Sequence, residues 1–175
     1  MAPATIVLGV DPGTHHTGYG VIAEMAGKLV ALEWGVISPK PSLPLPEKLH
    51  TIHTALRTCL VAHQPDTMAV ETLFLAKNVR SAVTLAHARG IALLSAAVAG
   101  LEVAEYSPLQ VKQAVVGYGR ADKRQVQTMV RVLLNLPDPL HDSDAADALA
   151  VALCHVHGRR LRTALARPAA NRARS

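Results

Sequence analysis

LGVDPGTHHTGYGVI, residues 8–22, is the stretch on which the fold turns. It holds two short apolar runs, residues 6–10 and 18–23, joined by a segment containing Pro12 and Gly13. Short runs of this kind bounded by turn formers read as strands. A third run, residues 29–37, follows Gly27, and the simplest arrangement of the three is an antiparallel meander. Asp11 ends the first run, immediately before Pro12. An acid there has an ordinary use, capping the amides of the turn, and a second one, chemistry at a strand end.

Beyond the meander, a proline-rich link (39–46) leads into a helix whose apolar positions are Leu49, Ile52, Leu56, Cys59 and Leu60. Pro65 and Asp66 end it, and residues 67–71 form a strand that finishes on Glu71. Residues 79–99 are helical and apolar on nearly every side, so more than one face needs cover. In so small a chain the second cover is expected to be another subunit, which makes a homodimer the expected assembly. Residues 102–106 are the fifth strand, and Ser107-Pro108 starts the next helix. Gly117 and Gly119 interrupt, and a helix from Asp122 follows, with Val126, Met129, Val130 and Leu133 as its stripe. A last helix spans 143–157. Strands, helix, strand, helix and strand, closed by helices, make an α/β domain. Residues 1–157 are expected to form it, with 158–175 as a basic, disordered tail.

The chain has 175 residues, half of them hydrophobic, and a formal net charge of +5. That excess sits at one end: residues 158–175 hold six arginines and no acid, and the rest carries 12 basic against 13 acidic side chains. Residues 72–101 contain no acid but do contain Lys77, Arg80 and Arg89, and residues 112–131 hold five basic residues and one acid, Asp122. Cations sorted in this way suit a phosphate backbone passing near clustered carboxylates, although solvated helix faces give the same pattern. Cys59 and Cys154 are the only cysteines, which implies no disulfide framework and a reducing compartment. No signal peptide and no charge-free apolar run of bilayer length is evident, so a cytoplasmic protein without a membrane partner is expected.

The chemistry-bearing candidates are acids. Glu71, like Asp11, terminates an apolar strand, where solvent alone is reason enough for a charge. Asp144 and Asp147 stand three apart on one helix and so share a face. Like charges so close disfavour one another unless a cation or donor intervenes. An N-cap role accounts for Asp142 or Ser143 but not for Asp147, deeper in the helix. Should the four acids converge, their natural counter-charge is a hard divalent cation, Mg²⁺ above all. Two such ions about 4 Å apart suit phosphodiester cleavage.

The segments LGVDPGTHHTGYGVI (8–22), VETLFLAKN (70–78), VKQAVVGYG (111–119) and DAADALAVA (144–152), in this order and spacing, resemble the RuvC family of crossover-junction endonucleases. The resemblance covers about residues 5–157. It implies an RNase H-like fold, with a mixed five-stranded sheet flanked by helices. It also implies a homodimer that resolves Holliday junctions by paired symmetric nicks in recombination and repair, leaving 5′-phosphate and 3′-hydroxyl ends. Its acidic, metal-binding site falls on Asp11, Glu71, Asp144 and Asp147, with two Mg²⁺ ions for which Mn²⁺ substitutes. Phe74 stands where the family carries an aromatic near DNA, suited to stacking on an unpaired base, although Phe is more commonly a core residue. Asn78 and Arg80 are further DNA-contact candidates, and Lys112 and Lys123 match lysines along the DNA path. A branch-migration motor complex is a partner implied by the family alone. The additional acid Asp142 and the arginine-rich tail depart from the pattern.

Other signals are weaker. Cys154, His155 and His157 lack a second Cys/His pair at finger spacing, which argues against zinc. His15 and His16 read as surface turn residues, and there is no Walker A loop or nucleophile elbow. Three competing readings remain: an actin-like or sugar-kinase ATPase fragment, for which the chain lacks a second lobe; a non-catalytic junction-binding protein; and a related nuclease acting on RNA.

Overall fold

A computed structural model of the chain describes residues 4–72, 79–137 and 142–166. The meander is present as β1 (Thr5–Asp11), β2 (Thr17–Met25) and β3 (Lys28–Ile37). There follow α1 (Leu45–His63), β4 (Thr67–Glu71), α2 (Val79–Val98), β5 (Glu102–Tyr106), α3 (Pro108–Val116), α4 (Lys123–Leu134) and α5 (Ser143–Ala166). The five strands form one mixed sheet in the order β3-β2-β1-β4-β5. β1–β2 and β2–β3 are antiparallel, whereas β1–β4 and β4–β5 are parallel.

Alternation along the strands divides the core in two. Leu8, Val10, Val21, Met68 and Val70 face α1 and α2, where they meet Ile52, Leu56, Ala88, Ala92 and Ala96. Val7, Ile22 and Ala69 face the other way, onto α5, α3 and α4, against Leu149, Leu153, Val111 and Val130. This layering is the RNase H-like architecture expected from the resemblance.

The helix ends follow local chemistry. Ser107 and Asp122 each form a reciprocal capping box, with Gln110 and Gln125 respectively. Gly117 closes α3 at φ +92°, a left-handed conformation that glycine adopts without penalty.

One boundary differs from expectation. The helix expected to stop at residue 157 continues through Gly158 to Ala166, so the first half of the supposed tail is ordered helix. The reason lies in two arginines of that tail. Arg159 Nη2 and Arg160 Nε donate to the Glu24 carboxylate at 2.7 and 2.6 Å, and Arg160 Nη2 donates to the Gly27 carbonyl at 3.0 Å. Burial pushes the Glu24 carboxyl up, but these two hydrogen bonds outweigh it and hold Glu24 below its ordinary value.

α2 is apolar all round, as its sequence requires, yet only one side is covered. Ala88, Ala92, Ser95 and Ala96 are buried, and Ser95 Oγ meets His53 Nδ1 of α1 at 2.8 Å. Val79, Val83, Leu94 and Val98 are exposed, and at 100° per residue they fall on a single stripe together with Gly90. Residues Ser81–Val98 are, by length and composition alone, enough to cross a membrane. Arg89 within that stretch pairs with Glu105 of β5, and the alanine face is packed on the sheet.

Candidate metal centre and its flanking clefts

β1 and β4 run side by side in parallel, with Val10 opposite Val70, so the next residue on each strand, Asp11 and Glu71, emerges at the same sheet end. A hydrogen bond from Thr72 N to Tyr106 O (2.8 Å) ties the chain after Glu71 to β5. α5 brings the other two acids. Its N-terminus, Ser143, lies over the end of β1 and β2, so Asp144 and Asp147 point at the strand ends.

Three glycines make that approach possible. Gly9 pairs with Gly20, and Asp11 with Gly18, across β1 and β2. A methyl group at Gly18 would overlap the backbone carbonyl of Asp144 and stand 3.2 Å from Ala145 N. At Gly9 it would stand 2.9 Å from both N and Cβ of Ala152, and at Gly20 2.6 Å from Leu149 Cδ2. Ordinary contacts between such atoms are at about 3.5–4.0 Å. The glycines on the sheet and Ala145, Ala148 and Ala152 on the helix therefore set backbone almost on backbone. Sequence reasoning missed these glycines and alanines as a packing pair. The alternation of Gly18 and Gly20 on one strand was the partial signal: it marks a bare strip on one side of the sheet without saying what lies on it.

Carboxylate oxygens of Asp11, Asp144 and Asp147 lie within 4.8 Å of one another, and this trio is the group able to hold a metal ion found among the described residues. Glu71 is not in the trio but adjoins it: of the surrounding charges it raises Asp11 the most, and Asp147 in turn raises Glu71. Asp11 is pushed up to about 7, by burial first and then by Glu71, Asp147 and Asp144. Burial also raises Glu71 and Asp147, the former helped by Asp147. Such a cluster of half-buried acids, each raising the next, is electrostatically short of positive charge. An all-oxygen donor set of this kind fits a hard divalent cation.

Two clefts flank the acids. One, of about 240 Å³, is lined by Glu71, Lys112, Lys123, Val111, Val126 and Asp147 among others. Lys123 Nζ donates to Asp147 Oδ2 at 2.7 Å. The other, of about 550 Å³, is lined by Gly13, Thr14, His15, His16, Ser81, Thr84, Leu85 and Asp144. Its wall is stiffened by Thr17, whose hydroxyl donates to Gly13 O at 2.6 Å, and by a 3.0 Å hydrogen bond between His16 Nδ1 and Ser38 Oγ. His15 and His16, expected as plain turn residues, thus border the acid cluster.

Of the DNA-contact candidates, Lys112 and Lys123 share the smaller cleft. Arg80 is the second residue of α2, while Phe74 and Asn78 lie outside the described residues. Asp142 is exposed and its carbonyl accepts from Ala146 N at 3.1 Å, a helix-start role apart from the trio. His155 and His157 each have another partner. His155 Nδ1 meets the Tyr106 hydroxyl at 3.0 Å, and His157 Nδ1 donates to the Ala114 carbonyl at 2.9 Å. Cys154 and Cys59 are free and buried, and burial raises their thiols to about 11 and about 12, which leaves them unreactive.

Comparison with known proteins identifies the family. The family model described as crossover junction endodeoxyribonuclease RuvC matches residues 7–155. The RuvC of Syntrophomonas wolfei is 50% identical over 155 residues, covering 89% of this chain and 90% of the relative. That of Syntrophotalea carbinolica is 52% identical over 151 residues, covering 86% and 93%. Among solved structures, Thermus thermophilus RuvC in complex with Holliday junction substrate superposes with a TM-score of 0.85 at 38% identity, covering 91% of this chain and 97% of that one. The yeast mitochondrial Holliday junction resolvase Ydc2 shares the fold at a TM-score of 0.68 and 14% identity, covering 93% and 82%.

Proposed function

The chain belongs to the RuvC family of crossover junction endodeoxyribonucleases, and from that premise we propose that it resolves Holliday junctions as a homodimer, by paired symmetric nicks made with two divalent ions per site. The observation that carries the reading is the convergence of Asp11, Asp144 and Asp147 within 4.8 Å, with Glu71 beside them, at one end of the sheet. Those four acids would hold the ions, Mg²⁺ in the cell with Mn²⁺ as substitute. Bound there, the ions would polarise the attacking water and supply positive charge against the leaving 3′-oxygen, giving 5′-phosphate and 3′-hydroxyl ends.

The chain's own residues do the remaining work. β1 and β4 fix Asp11 and Glu71 on neighbouring strands, and the glycine-alanine contact fixes Asp144 and Asp147 opposite them. Placement on regular elements keeps the carboxylates from drifting as the DNA strand enters. Lys112 and Lys123 line the adjoining cleft and place ammonium charge beside the scissile phosphate. Phe74 stacks on an unpaired base at the junction centre, and Asn78 and Arg80 contact the strand beside it.

Two-fold symmetry suits a junction in which two strands of like polarity are cut. The uncovered stripe Val79, Val83, Gly90, Leu94 and Val98 on α2 is the surface we assign to the partner protomer, glycine allowing close approach. The nuclease unit expected over residues 1–157 extends on this reading to the end of α5 at Ala166. The arginine-rich end adds non-specific affinity for DNA, and a branch-migration motor delivers the junction during recombination and repair in the cytoplasm.

Purified protein incubated with a synthetic four-way junction and a matched duplex, with Mg²⁺ or EDTA, tests the proposal. Paired nicks in the junction alone, only with Mg²⁺, are expected. Asp144→Asn is expected to bind the junction and leave it intact; continued cleavage would remove Asp144 from the mechanism. Binding without cutting by the unaltered protein, across metals and junction sequences, would favour a non-catalytic junction binder.

A further inference from the structure

Lys123 stands where a helix least favours a cation. It is the first residue of α4, and a helix N-terminus carries partial positive charge. The N-cap acid, Asp122, offsets part of that charge, but its carboxylate is turned to the helix amides rather than to the lysine. That carboxylate accepts from Gln125 N at 2.9 Å, and the Asp122 backbone N donates to Gln125 Oε1 at 2.9 Å. The lysine ammonium instead spans the cleft to Asp147 Oδ2 at 2.7 Å, with Asp144 and Asp11 also attracting it. A cation is thus held against its own helix by the acids that the proposed ions need.

We propose that Lys123 is an internal counter-ion that neutralises the acid cluster in the metal-free protein and competes with a divalent cation for Asp147. The proposal rests on the reading of the four acids as a metal site and goes beyond the placing of Lys123 on the DNA path. The lysine side chain is 55% exposed and that of Asp147 27%. An ion pair so open to water is weak enough for a divalent ion to displace. Once displaced, the ammonium remains at the mouth of the cleft it shares with Lys112, free to meet a phosphate. Lys123 therefore couples the two events: it serves DNA only after surrendering Asp147, so ion loading and strand binding favour one another.

Mn²⁺ binding without DNA, measured by calorimetry and by the loss of the free-ion electron paramagnetic resonance signal, tests this. Lys123→Met is expected to tighten Mn²⁺ binding about two- to fivefold, the worth of an exposed ion pair. Lys112→Met, in the same cleft, is expected to tighten it less, and Lys123→Arg to remain near the unaltered protein. The rise in Tm on adding Mn²⁺ should also be larger for Lys123→Met. Unchanged or weaker Mn²⁺ binding in Lys123→Met, with binding still dependent on Asp11, would overturn the counter-ion role alone. Mn²⁺ binding that survives undiminished in Asp11→Asn, or is undetectable in the unaltered protein, would overturn the metal-site reading and this proposal with it.

Discussion

Replacing Gly18 with alanine should disable cleavage while leaving the four acids in place. Gly18 lies opposite Asp11 in the β1–β2 ladder, and a methyl group on it would overlap the Asp144 carbonyl. Carbon and oxygen need about 3.5 Å, so the start of α5 must recede by about 1 Å or more. β2 cannot yield instead, since it is hydrogen-bonded on both sides and Val21 and Ile22 are fully buried. The recoil is delivered to the residue whose carboxylate belongs to the acid trio. A misplacement of about 1 Å at a reacting centre can cost about 100-fold in rate, and over-packing of this kind costs about 1–3 kcal/mol in stability. The expected result for Gly18→Ala is a cleavage rate down by about two orders of magnitude, with junction binding retained and the Tm lowered. Gly27→Ala is the control: the turn has φ +81° and a methyl there meets nothing within 4 Å. It should cost about 1 kcal/mol of stability and leave the rate alone. Single-turnover cleavage of a labelled junction, beside thermal melts, reads both effects. Cleavage by Gly18→Ala at the unaltered rate would refute the claim that backbone contact sets the site.

Three further outcomes are expected. In EDTA, Asp11 with its value raised from 3.8 to about 7 binds more protons folded than unfolded. Its contribution to stability is complete below about pH 4 and is lost as the pH rises toward 7. Melting of Asp11→Asn should therefore gain on the unaltered protein across that window, and a constant gap between the two would contradict the assignment. Glu24→Gln removes the charge that gathers Arg159 and Arg160 at the far end of α5 and should cost about 1–2 kcal/mol with no change in cleavage rate, read by denaturant melts and junction assays. Leu94→Glu places a charge in the exposed stripe of α2 and should halve the mass in sedimentation, along with loss of paired nicking; a dimer that survives it would move the interface elsewhere.

The meander, the two later strands and the shared face of Asp144 and Asp147 were readable because each rests on local rules, whereas the parallel pairing of β1, β4 and β5 entered only as the mixed sheet that the resemblance implies. Alternation and turn residues set the strands, and the spacing of Asp144 and Asp147 sets a shared helical face. What local rules do not carry is approach distance. Gly18 and Gly20 read as ordinary strand residues until α5 is seen lying on them, because a close contact is a property of two elements and not of either one. The extent of α5 was underestimated for a related reason. Its last turns carry no apolar stripe facing the sheet, and their order depends on Glu24, more than 130 positions earlier in the chain. Likewise Lys123 was legible as a cation on the DNA path, but its partner Asp147 became visible only when α4 and α5 met.

The site is built against its own electrostatics. Burial and mutual repulsion raise Asp11, Glu71 and Asp147 together, so the metal-free cluster tends to push α5 off the strand ends. Much of what resists is the helix's length of contact, away from the site. Leu149, Leu153 and Val156 are fully buried along α5, and Ala148 and Ala152 sit against Gly9. A helix held over several turns cannot rotate its first turn away without disturbing all of them. The strain at the acids is thereby converted into affinity for cations. One cation, Lys123, belongs to the chain itself and sits in a weak pair, so the cluster remains tolerable when empty and still open to exchange. A stronger internal partner would make the protein more stable and the site less able to take up an ion.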